Sequence, residues 1–101
     1  MDEEKVRGLL GLSVRAGQAM FGQGGCLTWI RSGACALLLL DSEASGNTMD
    51  LYRRACREHD VPLGILPCGL LEKATGRPGV AVALKAGGLT DQLLKLVDTV
   101  R

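Results

Sequence analysis

The sequence predicts an α/β protein: a three-layer α/β/α sandwich around a small mixed, mostly parallel four-stranded sheet. Three observations lead there. Helical and strand-like hydrophobic periodicities alternate along the chain. The run Ala36 to Leu40 is wholly apolar and short, as a strand covered on both faces would be. Glycine or proline punctuates most of the segment ends. At 101 residues the chain has room for one core, so residues 1–101 are read as a single domain.

Val6, Leu9, Leu10 and Ser13 recur at helical spacing before Gly17, which predicts a first helix from about Asp2 to Ala16 with a glycine stop. Gln18 to Phe21 reads as an edge strand. Gly22-Gln23-Gly24-Gly25 follows, and Cys26, Trp29, Ile30 and Gly33 then fall at i, i+3, i+4, i+7, so a second helix opens from a glycine-rich loop. After the apolar strand, Asp41 to Thr48 is polar and rich in cap formers. Met49, Tyr52 and Cys56 mark a third helix ending near His59. Val61 to Leu66, with Pro62 at its start, is a strand. Leu70, Leu71 and Ala74 form a short helix stopped by Gly76, and Val80 to Leu84 is the last strand. From Thr90, the positions Leu93, Leu96, Val97 and Val100 predict a closing helix.

Composition removes several classes of function. Hydrophobic residues make up 47% and charged residues 23%, which is ordinary globular usage rather than that of a disordered chain. Twelve basic against eleven acidic residues give a net charge of +1, so nucleic-acid binding through bulk charge is excluded and any such contact must be local. The longest apolar run, Ala34 to Leu40, has seven residues, far short of the roughly 20 needed to span a bilayer. With an acidic Met1-Asp2-Glu3-Glu4 start, a cytoplasmic protein without a membrane partner is expected. The cysteines at 26, 35, 56 and 68 form no CxxC pair and His59 is the single histidine, so no metal site and four reduced thiols are expected.

The glycine-rich loop is the most informative motif. It lacks the third glycine of a dinucleotide fingerprint, since position 27 is Leu27, and it lacks the Lys and Ser or Thr of a nucleotide loop. What remains is the physics common to both: glycines ahead of a helix admit another backbone, and free helix N–H groups attract anions. The alternative is a strand-to-helix turn with no ligand. Arg31, the Arg53-Arg54-Arg57 group and Arg77 are scattered cations. Arg53 and Arg57, at i, i+4, make either a solvated face or a binding surface. His59 beside Asp60 reads as a helix-end charge, and no serine stands in a nucleophile motif, so no catalytic residue and no cofactor are expected. One Trp, one Tyr and one Phe are too few for a base-stacking platform, which favours folded RNA over single strands or DNA.

The order of segments, with Leu9 to Gly17, Phe21-Gly22, Ile30 to Gly33, the strand to Leu40, Val61-Pro62 and Gly76, resembles the kink-turn-binding ribosomal protein family, and most of all its small bacterial YlxQ-like branch. The resemblance runs from about Lys5 to Val100. It implies a three-layer α/β/α fold and a non-enzymatic protein, ribosome-associated, that binds sharply bent RNA. Carried over by position, the implied RNA-facing residues are Gly22, Gln23, Gly24, Gly25, Thr28 and Arg31; then Asp41, Ser42, Glu43, Ala44 and Ser45; then Arg77, Pro78, Gly79 and Val80. In family members that read sheared purine pairs the loop is Gly-x-Asn-Glu, with a Lys three positions later. Here those places hold Gly24, Gly25 and Thr28. The loop after the central strand replaces the family's Ala-Glu-Asp with Asp41-Ser42-Glu43. The alternative is a family member whose glycine loop or apolar surface contacts a protein partner or another copy of itself.

Overall fold

The computed structural model describes residues 1–100. The elements in chain order are α1 (Glu3–Arg15), β1 (Ala19–Phe21), α2 (Gln23–Ser32), β2 (Leu37–Asp41), α3 (Gly46–Glu58), β3 (Leu63–Leu66), α4 (Leu70–Thr75), β4 (Ala81–Leu84), α5 (Gly88–Leu96) and β5 (Thr99–Val100). Local chemistry explains most of the boundaries. Asp2 accepts a hydrogen bond from the Lys5 N–H and caps α1, while Glu3 and Glu4 in the first turn and Arg15 in the last suit the helix dipole. Gly33 and Gly76 end α2 and α4 in the left-handed conformation.

The sheet order is β1-β4-β2-β3-β5. Val6, Leu10, Leu70, Leu71 and Leu93 from α1, α4 and α5 pack on one face with Leu37, Leu39, Val82 and Leu84. Cys26, Ile30, Tyr52 and Cys56 from α2 and α3 pack on the other with Leu38, Leu40, Leu63 and Ala83. The α/β/α layering therefore stands, and all five residues of β2 are buried because helices cover both its sides.

Two expectations about the sheet are corrected. Among the described residues it has five strands, not four, and only β2 and β3 are parallel; β1–β4, β2–β4 and β3–β5 are antiparallel. The reason lies in α4. A six-residue helix is about 9 Å long, too short to carry the chain back along the sheet, so β4 begins at the end where β3 stops and runs the other way. The fifth strand arises because the closing helix stops at Leu96. Val97 turns extended (φ −111°, ψ 132°) with its side chain buried, and Thr99 and Val100 pair with Gly64 and Leu63 instead of continuing the helix.

That last pairing depends on Gly64. A Cβ at this position would lie 2.7 Å from Val97 Cγ1 and 3.0 Å from Leu39 Cδ2. Gly64→Ala is expected to cost about 2 kcal/mol by overpacking, read as a lower urea midpoint with an unchanged slope. An unshifted midpoint would show that Val97 moves aside freely.

Candidate nucleic-acid interface

Two of the three segments singled out in the sequence, the one opening at Gly22 and the one from Arg77 to Val80, meet the first half of α3 at one cleft of about 220 Å³, while Asp41 to Ser45 does not line it. Gly22 and Gln23 bring the start of α2, Thr48 and Tyr52 the first half of α3, and Pro78 to Ala81 the entry to β4. They meet because β1, β4 and β2 are neighbours in the sheet, so the end of β1, the start of β4 and the end of β2 lie along one edge.

The glycine segment is tighter than a loop. Gly22 is the N-cap of α2 (φ 80°, ψ 149°), and Gln23, Gly24 and Gly25 form its first turn. The left-handed φ at Gly22 is one that side chains rarely adopt. The cap has no side-chain hydrogen bond, and the first intrahelical bond is Cys26 N–H to Gly22 C=O at 3.0 Å. Helix geometry leaves the N–H groups of Gln23, Gly24 and Gly25 pointing out of the end without helical acceptors. The start of α3 differs, since Ser45 Oγ accepts from the Thr48 N–H at 3.2 Å. At this edge α2 thus supplies the open donors.

The two helix glycines stand in different surroundings. A Cβ on Gly24 would meet open space, whereas one on Gly25 would lie 2.7 Å from Met20 Sδ and 2.8 Å from its Cγ. The Met20 side chain therefore occupies the room that a longer residue at 25 would need. Thr28 and Arg31 follow Gly24 at i+4 and i+7 and share its exposed face, leading away from the cleft along α2.

Arg77 is held rather than free. Its guanidinium carbon sits 4.6 Å from the centroid of the Phe21 ring, in a cation–π stack one residue before Gly22. Its N–H donates to Thr75 Oγ1 at 3.3 Å, and Pro78 stiffens the next position. Val80 keeps 38% of its surface exposed at the mouth.

The Asp41 to Ser45 segment divides. Asp41 is buried, and its carboxylate faces inward: Oδ1 accepts from the Glu43 N–H at 2.7 Å and Oδ2 from the Gly69 N–H at 2.9 Å. Its own N–H donates to Val80 C=O at 2.8 Å, and its C=O accepts from the Ala44 N–H at 3.0 Å. Asp41 thereby ties the end of β2, the loop to α3, the turn before α4 and the start of β4. Ser42, Glu43 and Ser45 are exposed around it and Ala44 is half-buried. Arg53 and Arg57 do not reach this cleft; they line another depression with Cys56, Leu63 and Val100.

Sequence reasoning missed Met20, Phe21, Thr48 and Tyr52 as parts of this site. Phe21 and Met20 look like ordinary edge-strand residues until Arg77 and Gly25 are brought against them. Thr48 and Tyr52 share a helix face at i, i+4, which reads as core spacing.

All four cysteines are free thiols, with Cys26, Cys35 and Cys56 buried and Cys68 exposed. Burial raises the Cys26 thiol, moves Cys35 from 9.0 to about 11 and Cys56 to about 12, and also raises Tyr52. The fold favours the neutral thiols, so their contribution is complete below pH 9 and is lost as pH rises from there through about 11–12. The urea midpoint should be flat to about pH 8.5 and fall above 9, while at neutral pH only Cys68 should react quickly with a thiol reagent. A midpoint that stays flat to about pH 10.5 would contradict this.

No protein-family model and no curated protein matches the chain. Among solved structures it is similar to a protein of unknown function from Bacillus halodurans, at 26% identity and a TM-score of 0.85, over 90% of this chain and 94% of that one. It is also similar to the 15.5 kD RNA-binding protein of Giardia lamblia, at 14% identity and a TM-score of 0.73, over 92% of this chain and 81% of that one. The likeness to both extends over nearly the whole chain and is a likeness of fold.

Proposed function

We propose that this protein binds structured RNA at the cleft edge, with a kink-turn-like bend as its ligand, and that it does so as a cytoplasmic, ribosome-associated, non-enzymatic member of the kink-turn-binding ribosomal protein family, YlxQ-like branch. The observation that carries this reading is the convergence of the uncapped start of α2 with the β4 entry loop at one cleft, with Arg77 held against Phe21 beside it. Uncapped N–H groups suit phosphodiester oxygens, glycines allow the RNA backbone to come close, and Val80 offers an apolar contact to a displaced base. The fold shared with the Giardia RNA-binding protein supports the reading. The cleft gathers Gln23, Thr48 and Tyr52 among glycines and a proline, polar groups that can hydrogen-bond an RNA backbone or base.

The test is binding of a kink-turn RNA beside a regular duplex of equal length, across a salt series. A preference for the bent RNA is expected. Arg77→Ala should weaken that binding and reduce the salt slope by about one, as loss of a single phosphate contact does. Equal, weak binding of both RNAs that vanishes with salt would remove the kink-turn reading.

A further inference from the structure

A cleft of about 470 Å³ lies between α1 and α5, on the opposite layer from α2 and α3. Its walls are Lys5, Leu9 and Leu12 from α1 and Gln92, Lys95 and Leu96 from α5, with Gly8 between them. On both helices these positions fall at i, i+3, i+4 spacing, so one face of α1 and one face of α5 line the groove.

Three features mark this groove. Leu12 leaves 47% of its surface in solvent. Gly8 stands in the middle of α1, where glycine costs about 1 kcal/mol relative to alanine; it takes no left-handed φ, and a Cβ there would touch nothing within 4 Å. Neither Lys5 nor Lys95 forms an ion pair among the described residues. The floor is apolar and the rim is cationic.

We propose that this groove docks an amphipathic helix of another protein, one that places a large apolar side chain over Gly8 and carboxylates beside Lys5 and Lys95. A missing side chain at Gly8 gives the anchor its depth, and two ammonium groups flanking an apolar floor select acidic flanks. A second copy of this chain fits poorly, because an isologous contact would bring the same two ammonium groups together. RNA fits less well because the floor of Leu9, Leu12 and Leu96 is apolar, and a sugar–phosphate backbone would gain nothing from covering it. The inference stands apart from the RNA reading, since it uses no residue of the RNA cleft.

The experiment is selection of displayed random peptides of about 16 residues, roughly four helical turns, on the full chain, with Leu12→Glu as the counter-target. Enriched peptides should carry Leu, Phe or Trp at helical spacing flanked by Asp or Glu. They should bind the wild-type chain at least tenfold more tightly than the Leu12→Glu or Lys5→Glu/Lys95→Glu variants. Gly8→Met is the second arm: it should raise the melting temperature, because methionine is the better helix former, and still lose binding at least tenfold. Peptides that are neutral or basic, peptides that do not distinguish Leu12→Glu, an empty selection, or full binding by Gly8→Met would each overturn the proposal. Unchanged kink-turn RNA binding in Gly8→Met keeps this test separate from the RNA reading.

Discussion

Gly24→Asn combined with Gly25→Glu is expected to raise the affinity for a kink-turn RNA on the order of 10- to 100-fold, since a well-placed base contact contributes about 1–3 kcal/mol. The two positions make unequal demands. A side chain at 24 enters open space, so that change alone should leave stability close to the wild-type value. A side chain at 25 must displace Met20 Sδ and Cγ, which lie within 3 Å of the new Cβ. Methionine is flexible enough to swing away, so the double variant should fold, and adding Met20→Ala should clear the space and recover any affinity lost to crowding. Binding isotherms for the single, double and triple variants at one salt concentration decide it. If the double variant binds no better than the wild-type chain, the starts of α2 and of the family's reading loop are not equivalent.

Asp41→Ala is expected to be the most destabilising polar substitution in the site region. It removes the acceptors of the Glu43 and Gly69 N–H groups at 2.7 and 2.9 Å. Hydrogen bonds to a charged acceptor contribute about 1.5–3 kcal/mol each, so a loss of about 3 kcal/mol is expected. In a domain of this size that lowers the melting temperature by more than about 10 °C. Asp41→Asn retains one carbonyl oxygen and should cost about half as much. A thermal scan of both variants is sufficient, and a loss below about 1 kcal/mol for Asp41→Ala would mean that water replaces the carboxylate at both N–H groups. The resemblance implies that Asp41 is among the RNA-facing residues; the structure turns its carboxylate inward, where it holds the loop that Ser42, Glu43 and Ser45 expose.

The sequence by itself determined what depends on near neighbours. Asp2 and Ser45 cap α1 and α3 through atoms three residues away, and Gly33 and Gly76 end helices through their own φ. The wholly apolar run before Asp41 could by its leucines also be helical, and its short length favours a strand covered on both faces. These choices are settled by steric freedom and short hydrogen bonds, which act within about one helical turn. Tertiary structure decided the rest. The direction of β4 followed from how little chain α4 provides, and β5 formed because the open edge of β3 beside Gly64 accepted Thr99 and Val100. The site was divided in the same way. That glycines open α2 was legible, but the seat of Arg77 on Phe21, the place of Met20 over Gly25 and the entry of Thr48 and Tyr52 into the cleft each join residues far apart in sequence. Such contacts form only when packing of the layers brings the strand ends to one edge, and no local pattern encodes that meeting.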